Sequence, residues 1–380
     1  MSILITGASG FLGEKFLEDL CEKKDDTKIY LLLRGDNLEK FSQKYAKNNR
    51  VFCVEGDLTN PDVFEDQNEF KHLSLEITQI FHLAALYDLE APKEQLVKVN
   101  VIGTQNLLFF AGYCKNLKKF NYASSIAVAG DFKGPFSEDD FDLNQSFNDP
   151  YAYSKFKAEE VVRNWFSKSQ VCTQILRFGI IIGDSKSGEF KKKDGIYYFL
   201  KALIDINRYA GATFKAPYLG FPYDGDQELP LVTVDTASRA LLDVYKNKKG
   251  GLRSYHILNR DLPTLRDFLE DFVKHLGYQT QFMSLPRISL FEPLIKNGLY
   301  QLGLPQELID YMYIKPQFTR IKMDQDLKIT NPSYNDFKEV IFDRAVADLS
   351  HTPLSVYPQV IQFLSRCEKA VVFVKGRIKA

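Results

Sequence analysis

Two side chains four residues apart, Tyr151 and Lys155 in Asp149-Pro150-Tyr151-Ala152-Tyr153-Ser154-Lys155, have the types that proton transfer needs. On a helix, positions i and i+4 share a face. An ammonium at 155 therefore sits beside the phenol at 151 and favours its phenolate, lowering a pKa that is about 10 in an unperturbed tyrosine. Tyr153 is two residues round the helix from Lys155 and cannot play that part. Upstream, Ser124 and Ser125 end an apolar run and offer hydroxyl donors to an oxygen that gains negative charge.

A second kind of chemistry is written at the start of the chain. Ile3-Leu4-Ile5-Thr6-Gly7-Ala8-Ser9-Gly10-Phe11-Leu12-Gly13 reads as a buried strand, a glycine-punctuated turn and a new helix. Gly7 supplies the positive φ of a tight turn, Gly10 lets backbone approach a pyrophosphate, and Gly13 lets the helix lie close to the strand. Ser9, Phe11 and Leu12 lie in the same turn, whose helix N-terminus offers free N–H groups and partial positive charge to an anion. The spacing is G-x-x-G-x-x-G, so the general dinucleotide fingerprint is met in mechanism rather than letter by letter.

These residues need a scaffold, and apolar periodicity supplies one. Phe11 to Lys23 carries a helical stripe. Lys28–Leu33, Arg50–Glu55, Gln79–Leu83, Phe120–Ala123 and Gln174–Phe178 read as buried strands, with helices over Lys98–Gly112 and Tyr151–Trp165. Strands alternating with helices predict an α/β fold, a doubly wound parallel Rossmann sheet. The expected division is a dinucleotide-binding domain over 1–182, with strand and helix returns near 229–260, and a smaller mixed C-terminal substrate lobe over 183–380. The prolines, aromatic clusters and Phe190-Lys191-Lys192-Lys193-Asp194 run of the second part carry that expectation; the lysines read as a solvated loop.

The end of the second strand chooses the cofactor, because an acidic residue there binds a ribose 2′-hydroxyl whereas an arginine accommodates a 2′-phosphate. Arg34 holds that place, with Asp36 two residues on, so NADP is the expected cofactor and NAD the alternative. Asp57 closes the third strand and can accept from an adenine amino group, with Leu58 beside it. Leu83, Ala84 and Ala85 follow the fourth strand and leave room along the sheet edge. Phe178, at the end of the sixth, completes the candidate cofactor residues. His82 has no nucleophile partner and reads as a satisfied strand histidine.

Together, TGASGFLG, the serine pair after a strand and Tyr151/Lys155 resemble the extended short-chain dehydrogenase/reductase family over about residues 1 to 260. The resemblance implies Ser125 as the catalytic serine, with Ser124 the alternative, alongside Tyr151 and Lys155. Asn100 matches the family's helix asparagine, which holds the active-site lysine and water. It also implies that Ser125 hydrogen-bonds the substrate oxygen, Tyr151 exchanges a proton with it, and Lys155 fixes the nicotinamide ribose.

Within that family the chain is similar to the acyl-thioester and fatty-acyl reductases of the male-sterility type. The likeness rests on Ile29-Tyr30-Leu31-Leu32-Leu33-Arg34, on His82-Leu83-Ala84-Ala85-Leu86-Tyr87-Asp88, and on Arg177-Phe178-Gly179-Ile180-Ile181-Ile182-Gly183-Asp184 with Asp194-Gly195-Ile196-Tyr197-Tyr198. It implies an NADPH-dependent oxidoreductase that takes an acyl group on coenzyme A or a carrier protein to the aldehyde or alcohol. A nucleotide-sugar epimerase or dehydratase, a hydroxysteroid-type dehydrogenase and a non-catalytic NADP-binding module are the other readings. It implies a homodimer through helices 98–112 and 151–165.

Composition narrows the field. Lysine plus arginine number 49 and aspartate plus glutamate 49, which argues for no nucleic-acid partner. Five cysteines without a C-x-x-C pair read as reduced thiols of a cytoplasmic protein, and five histidines without ligand spacing argue for no metal. No run of eighteen apolar residues suggests a span, and the apolar-then-basic stretch at 370–377 suggests at most peripheral membrane contact. Phe282, Phe291, Tyr300, Tyr311, Tyr313 and Phe318 are candidate tunnel-lining aromatics, a role that competes with ordinary core packing.

Overall fold

The computed structural model describes residues 1–88, 91–147, 149–191, 195–210, 215–221, 228–284, 297, 300–301, 303–305 and 316–353. Lys192, Lys193, Asp194, Phe291, Tyr311, Tyr313 and the 370–377 stretch lie outside the described residues.

Strands β1 (Ser2–Thr6), β2 (Lys28–Leu33), β3 (Val51–Glu55), β4 (Gln79–His82) and β5 (Lys119–Ser125) alternate with helices α1 (Phe11–Cys21), α2 (Asp36–Lys44) and α3 (Gln67–Glu76). Between β4 and β5 lie α4 (Lys93–Leu96), a π-helical turn (Val97–Ile102) and α5 (Gly103–Tyr113). After β5 come a short strand β6 (Gly134–Phe136), the long helix α6 (Pro150–Ser169), β7 (Cys172–Phe178) and β8 (Ile180–Ile182). Then follow α7 (Ile196–Ala210), β9 (Tyr218–Phe221), β10 (Leu231–Thr233), α8 (Val234–Lys246) and β11 (Leu252–Ile257). Among the described residues beyond these are α9 (Leu265–His275), β12 (Gln281–Ser284), β13 (Pro316–Phe318), α10 (Ile321–Asp326) and α11 (Tyr334–Leu349).

Seven strands form one sheet in the order β11-β7-β5-β4-β1-β2-β3, with every pairing parallel. This is the doubly wound sheet that the alternation predicts. The strand order reverses beside β1, so the carboxyl edges of β1 and β4 flank the crevice where such sheets take ligands. Both faces are buried, and strand alternation divides the side chains between two cores. Ile3, Ile5, Ile29 and Leu31 join Phe16, Leu17 and Leu241 on one face. Leu4, Tyr30 and Leu32 join Phe110, Phe120 and Val162 on the other.

The chain separates into two compact units. The first comprises Met1–Ile181, Val232–Leu258 and Phe318–Asn331; the second comprises Ile182–Leu231, Asn259–Gln317 and Pro332–Ala380. The sequence reading leaves 318–331 in the C-terminal lobe, whereas the structure returns this stretch to the first unit. Buried Met323 joins the sheet core, and the Glu138 carboxylate accepts the backbone N–H groups of Lys322 and Met323. An i-to-i+4 stripe cannot report such a long-range carboxylate partner. Within the second unit, α9 and α11 each begin in a capping box, at Thr264 and Ser333, and pack through Phe268, Phe272 and Phe342. Phe282 is buried in that unit, Tyr300 is exposed, and Phe318 packs on Phe136 in the first.

A candidate active site at the carboxyl edge of the sheet

The glycine turn is built as its sequence requires. Gly7 has φ +75°, and a Cβ there would lie 2.4 Å from the Ala84 backbone nitrogen, so β1's turn presses on the loop after β4. A Cβ on Gly13 would lie 2.1 Å from the Gly7 carbonyl oxygen, so α1 can seat against the turn only without a side chain. Ser9 and Gly10 are exposed, Phe11 and Leu12 half-buried, at the N-terminus of α1. This geometry fits a dinucleotide: an open, glycine-lined turn with helix N–H groups facing outward.

Arg34 follows β2 with its side chain mostly exposed (65%) and donates to the Asp57 carboxylate at 3.4 Å. Burial alone would raise the Asp57 carboxyl, but hydrogen bonds from Thr59 and the charge of Arg34 outweigh it and lower the pKa. Leu58 is buried in the core, and its carbonyl accepts from Asn106. Leu83 and Ala84 are half-buried and Ala85 exposed after β4. Phe178 is buried with the sheet core, leaving its backbone at the strand end, paired in register with Ser125.

His82 is fully paired, its Nδ1 to Thr6 Oγ1 at 2.7 Å and its Nε2 to Thr104 Oγ1 at 2.9 Å. Burial, then the Lys155 charge, push it down to about 3, so it is a neutral structural histidine.

The π-helical turn replaces part of the continuous helix expected over 98–112. A π turn carries an extra residue and displaces its side chains from the α-helical stripe, a device common at functional sites. Asn100 occupies this turn. Its Oδ1 accepts from Leu86 N at 2.8 Å, and its Nδ2 donates to Leu86 O at 3.1 Å and Ser154 Oγ at 2.9 Å. The side chain thus ties the loop after β4 to the N-terminal part of α6, and meets the neighbour of Lys155 rather than Lys155 itself.

Helix α6 starts at Asp149, whose carboxylate accepts from Tyr151 N and Ala152 N, with Pro150 in the first turn. Tyr151 is 9% exposed and its ring meets that of Tyr87 edge-on at 4.8 Å. Lys155 is buried, donates to the Ala123 carbonyl at 2.7 Å and lies 4.7 Å above the Tyr122 ring. Burial drives its pKa down to about 7, against the opposing pull of Glu159. Tyr153 faces elsewhere, with its ring under Lys93 Nζ at 4.2 Å and against Phe147.

The two serines differ in their engagements. Ser124 is buried and donates to Glu159 Oε2 at 2.6 Å. Ser125 is half-buried, and its hydroxyl accepts from Ala127 N at 3.2 Å. Sequence reasoning missed Glu159 and the role of Arg177; the available signal was that Glu159 lies four residues after Lys155, on the same face of α6.

Residues 5–241, more than half of the chain, match the NAD-binding family described as male sterility protein. The chain belongs to the male sterility protein family. Among relatives of this family member, a linear gramicidin synthase subunit of Brevibacillus parabrevis is 28% identical over 299 residues, 74% of this chain and 6% of that protein. The L-2-aminoadipate reductase large subunit of Candida glabrata is 25% identical over 315 residues, 74% of this chain and 22% of that protein. The chain therefore spans well under a third of either relative's length. The terminal R domain from the myxalamid PKS-NRPS biosynthetic pathway shares its fold, with TM-score 0.75 and 24% identity, covering 93% of this chain and 92% of that one. Among the described residues, no helix is long and apolar enough to cross a membrane.

Proposed function

We propose that this protein is an NADPH-dependent reductase of an acyl thioester, carried on coenzyme A or a carrier protein, yielding the aldehyde or alcohol. The observation that carries the reading is the meeting of α6 with the end of β5, where Lys155 Nζ bonds the Ala123 carbonyl at 2.7 Å two residues before Ser125. The family, and relatives named as a gramicidin synthase subunit and a reductase, support the substrate class.

The glycine turn, Arg34, Asp57 and the 83–85 loop would hold the dinucleotide, which when bound supplies hydride to the thioester carbonyl. Ser125 and Tyr151 then donate to the oxygen as it becomes negative, a role in which one donor is worth about 2–4 kcal/mol of barrier. Tyr151 delivers the proton, and Lys155 both orients the ribose and stabilises the phenolate left behind. Collapse of the hemithioacetal releases thiolate and an aldehyde, which presents the same carbonyl geometry for a second reduction.

The assay follows NADPH absorbance against acyl-coenzyme A esters, carrier-protein thioesters, free aldehydes, sterols and nucleotide sugars. The expected result is oxidation with thioesters and equivalent release of free thiol; activity confined to sterols or nucleotide sugars would overturn the reading.

Arg34 sets the cofactor. NADPH should bind more tightly than NADH by about 1.5–3 kcal/mol, the worth of charge-assisted hydrogen bonds to the 2′-phosphate. Arg34→Ala should remove most of that preference and leave NADH affinity unchanged, as read by fluorescence titration.

A two-fold pairing through residues 98–112 and 151–165 is the assembly we favour; Ile102, Phe109 and Tyr113, exposed at seven- and four-residue spacing along or beside the first of these segments, support its part in it. Light scattering at micromolar concentration should give a dimer and Phe109→Glu a monomer; a wild-type monomer would rule the pairing out.

A further inference from the structure

We propose that Ser124, Glu159 and Arg177 form a clamp that fixes the direction of Ser125, making all three positioning residues for the reaction. The inference rests on the assignment of Ser125 as a donor to the substrate oxygen.

Glu159 and Arg177 are both fully buried. Arg177 grips Glu159 through Nε and Nη2, the latter at 2.7 Å from Oε1. Arg163 adds two bonds to Oε1. Burial would raise the Glu159 carboxyl, but the two guanidinium groups reverse that and hold it at about 2, so it stays ionised. Its Oε2 then takes the Ser124 hydroxyl at 2.6 Å, a charge-assisted bond of short length.

Successive side chains of a strand point to opposite faces, so anchoring Ser124 sets the roll of the strand and with it the direction of Ser125. Helix α6 therefore holds the end of β5 at two points, Lys155 on the Ala123 carbonyl and Glu159 on the Ser124 hydroxyl, one helical turn apart. Arg177 is itself fixed, donating to the Asp140 carbonyl at 2.7 Å and meeting His256 Nε2 at 3.3 Å. His256 Nδ1 pairs with the Thr319 carbonyl at 2.8 Å. The clamp thus stands on the segment that returns at 318–331. Among the described residues, the Ser125 side chain has no comparable anchor beyond the Ala127 N–H, so its placement depends on its neighbour.

Removing Glu159 would strand a buried guanidinium and threaten folding. The test therefore uses Ser124→Ala, which leaves both arginines paired with Glu159, and Ser124→Thr, which keeps the hydroxyl. In Ser124→Ala, kcat should fall about 10- to 100-fold, the effect of a small misplacement of a reacting group. KM for the thioester and Kd for NADPH should stay within about twofold. Ser124→Thr should recover most of the loss. Hydrogen–deuterium exchange should rise in the peptide covering 123–130 of Ser124→Ala and return toward wild type in Ser124→Thr, a readout independent of substrate. Wild-type kcat in Ser124→Ala, unchanged exchange, or an equal loss of NADPH affinity would each overturn the clamp. Failure of the wild-type protein to reduce any thioester would instead strike the reaction assignment, and the exchange measurement would still decide whether the clamp orders the strand end.

Discussion

Tyr151→Phe should lose about 10²- to 10⁴-fold in kcat, the usual worth of a positioned general acid, while NADPH affinity changes little. The substitution deletes only the phenolic oxygen. Packing against Tyr87 at 4.8 Å and the backbone N–H bonds donated to the Asp149 carboxylate do not involve that oxygen and persist. Tyr153→Phe is the matched control. Its ring lies under Lys93 and against Phe147, away from the face that carries Lys155, so its loss should cost less than about threefold. Steady-state kinetics with a thioester, together with cofactor titration, check both. A Tyr153→Phe variant that is inactive while Tyr151→Phe turns over would sink the assignment of the proton donor.

Gly7→Ala should have a large effect on the fold of the cofactor turn. The added Cβ meets the Ala84 nitrogen at 2.4 Å, the Leu83 carbonyl carbon at 2.6 Å and the Ala84 Cα at 2.7 Å, all backbone atoms that cannot swing aside. The left-handed conformation at φ +75° adds its own strain. Together these should destabilise by about 2–5 kcal/mol and abolish measurable NADPH binding. Gly35→Ala separates the two causes, because Gly35 has φ +48° but, among the described residues and apart from its own chain neighbours, no atom within 4 Å of its would-be Cβ. Backbone strain alone there, at φ +48° and ψ −130°, should cost about 1–3 kcal/mol. Thermal unfolding and cofactor titration of both variants check this; equal effects would mean that the close approach to the β4 loop does not matter.

Much of this arrangement is legible in the chain because it depends on local rules. Glycine is the residue that tolerates Gly7's φ and the near contact at Gly13, so G-x-x-G-x-x-G after an apolar strand marks the turn by residue type and spacing alone. Apolar runs alternating with amphipathic stretches specify a parallel sheet covered on both faces, and β1, β2, β4, β5 and β7 stand where those runs lie. The i, i+4 relation of Tyr151 and Lys155 is likewise a property of a helix alone.

What the tertiary structure decided are the long-range engagements of polar groups. In sequence Ser124 and Ser125 are nearly equivalent; their difference arises because a carboxylate 35 residues away claims one hydroxyl. The π turn at Asn100 depends on partners at Leu86 and Ser154, and the return at 318–331 depends on Glu138 and His256. Apolar burial is readable from periodicity because it needs only a face. A buried hydrogen bond needs a particular partner at about 3 Å, and only the folded chain brings residues from distant segments to that distance.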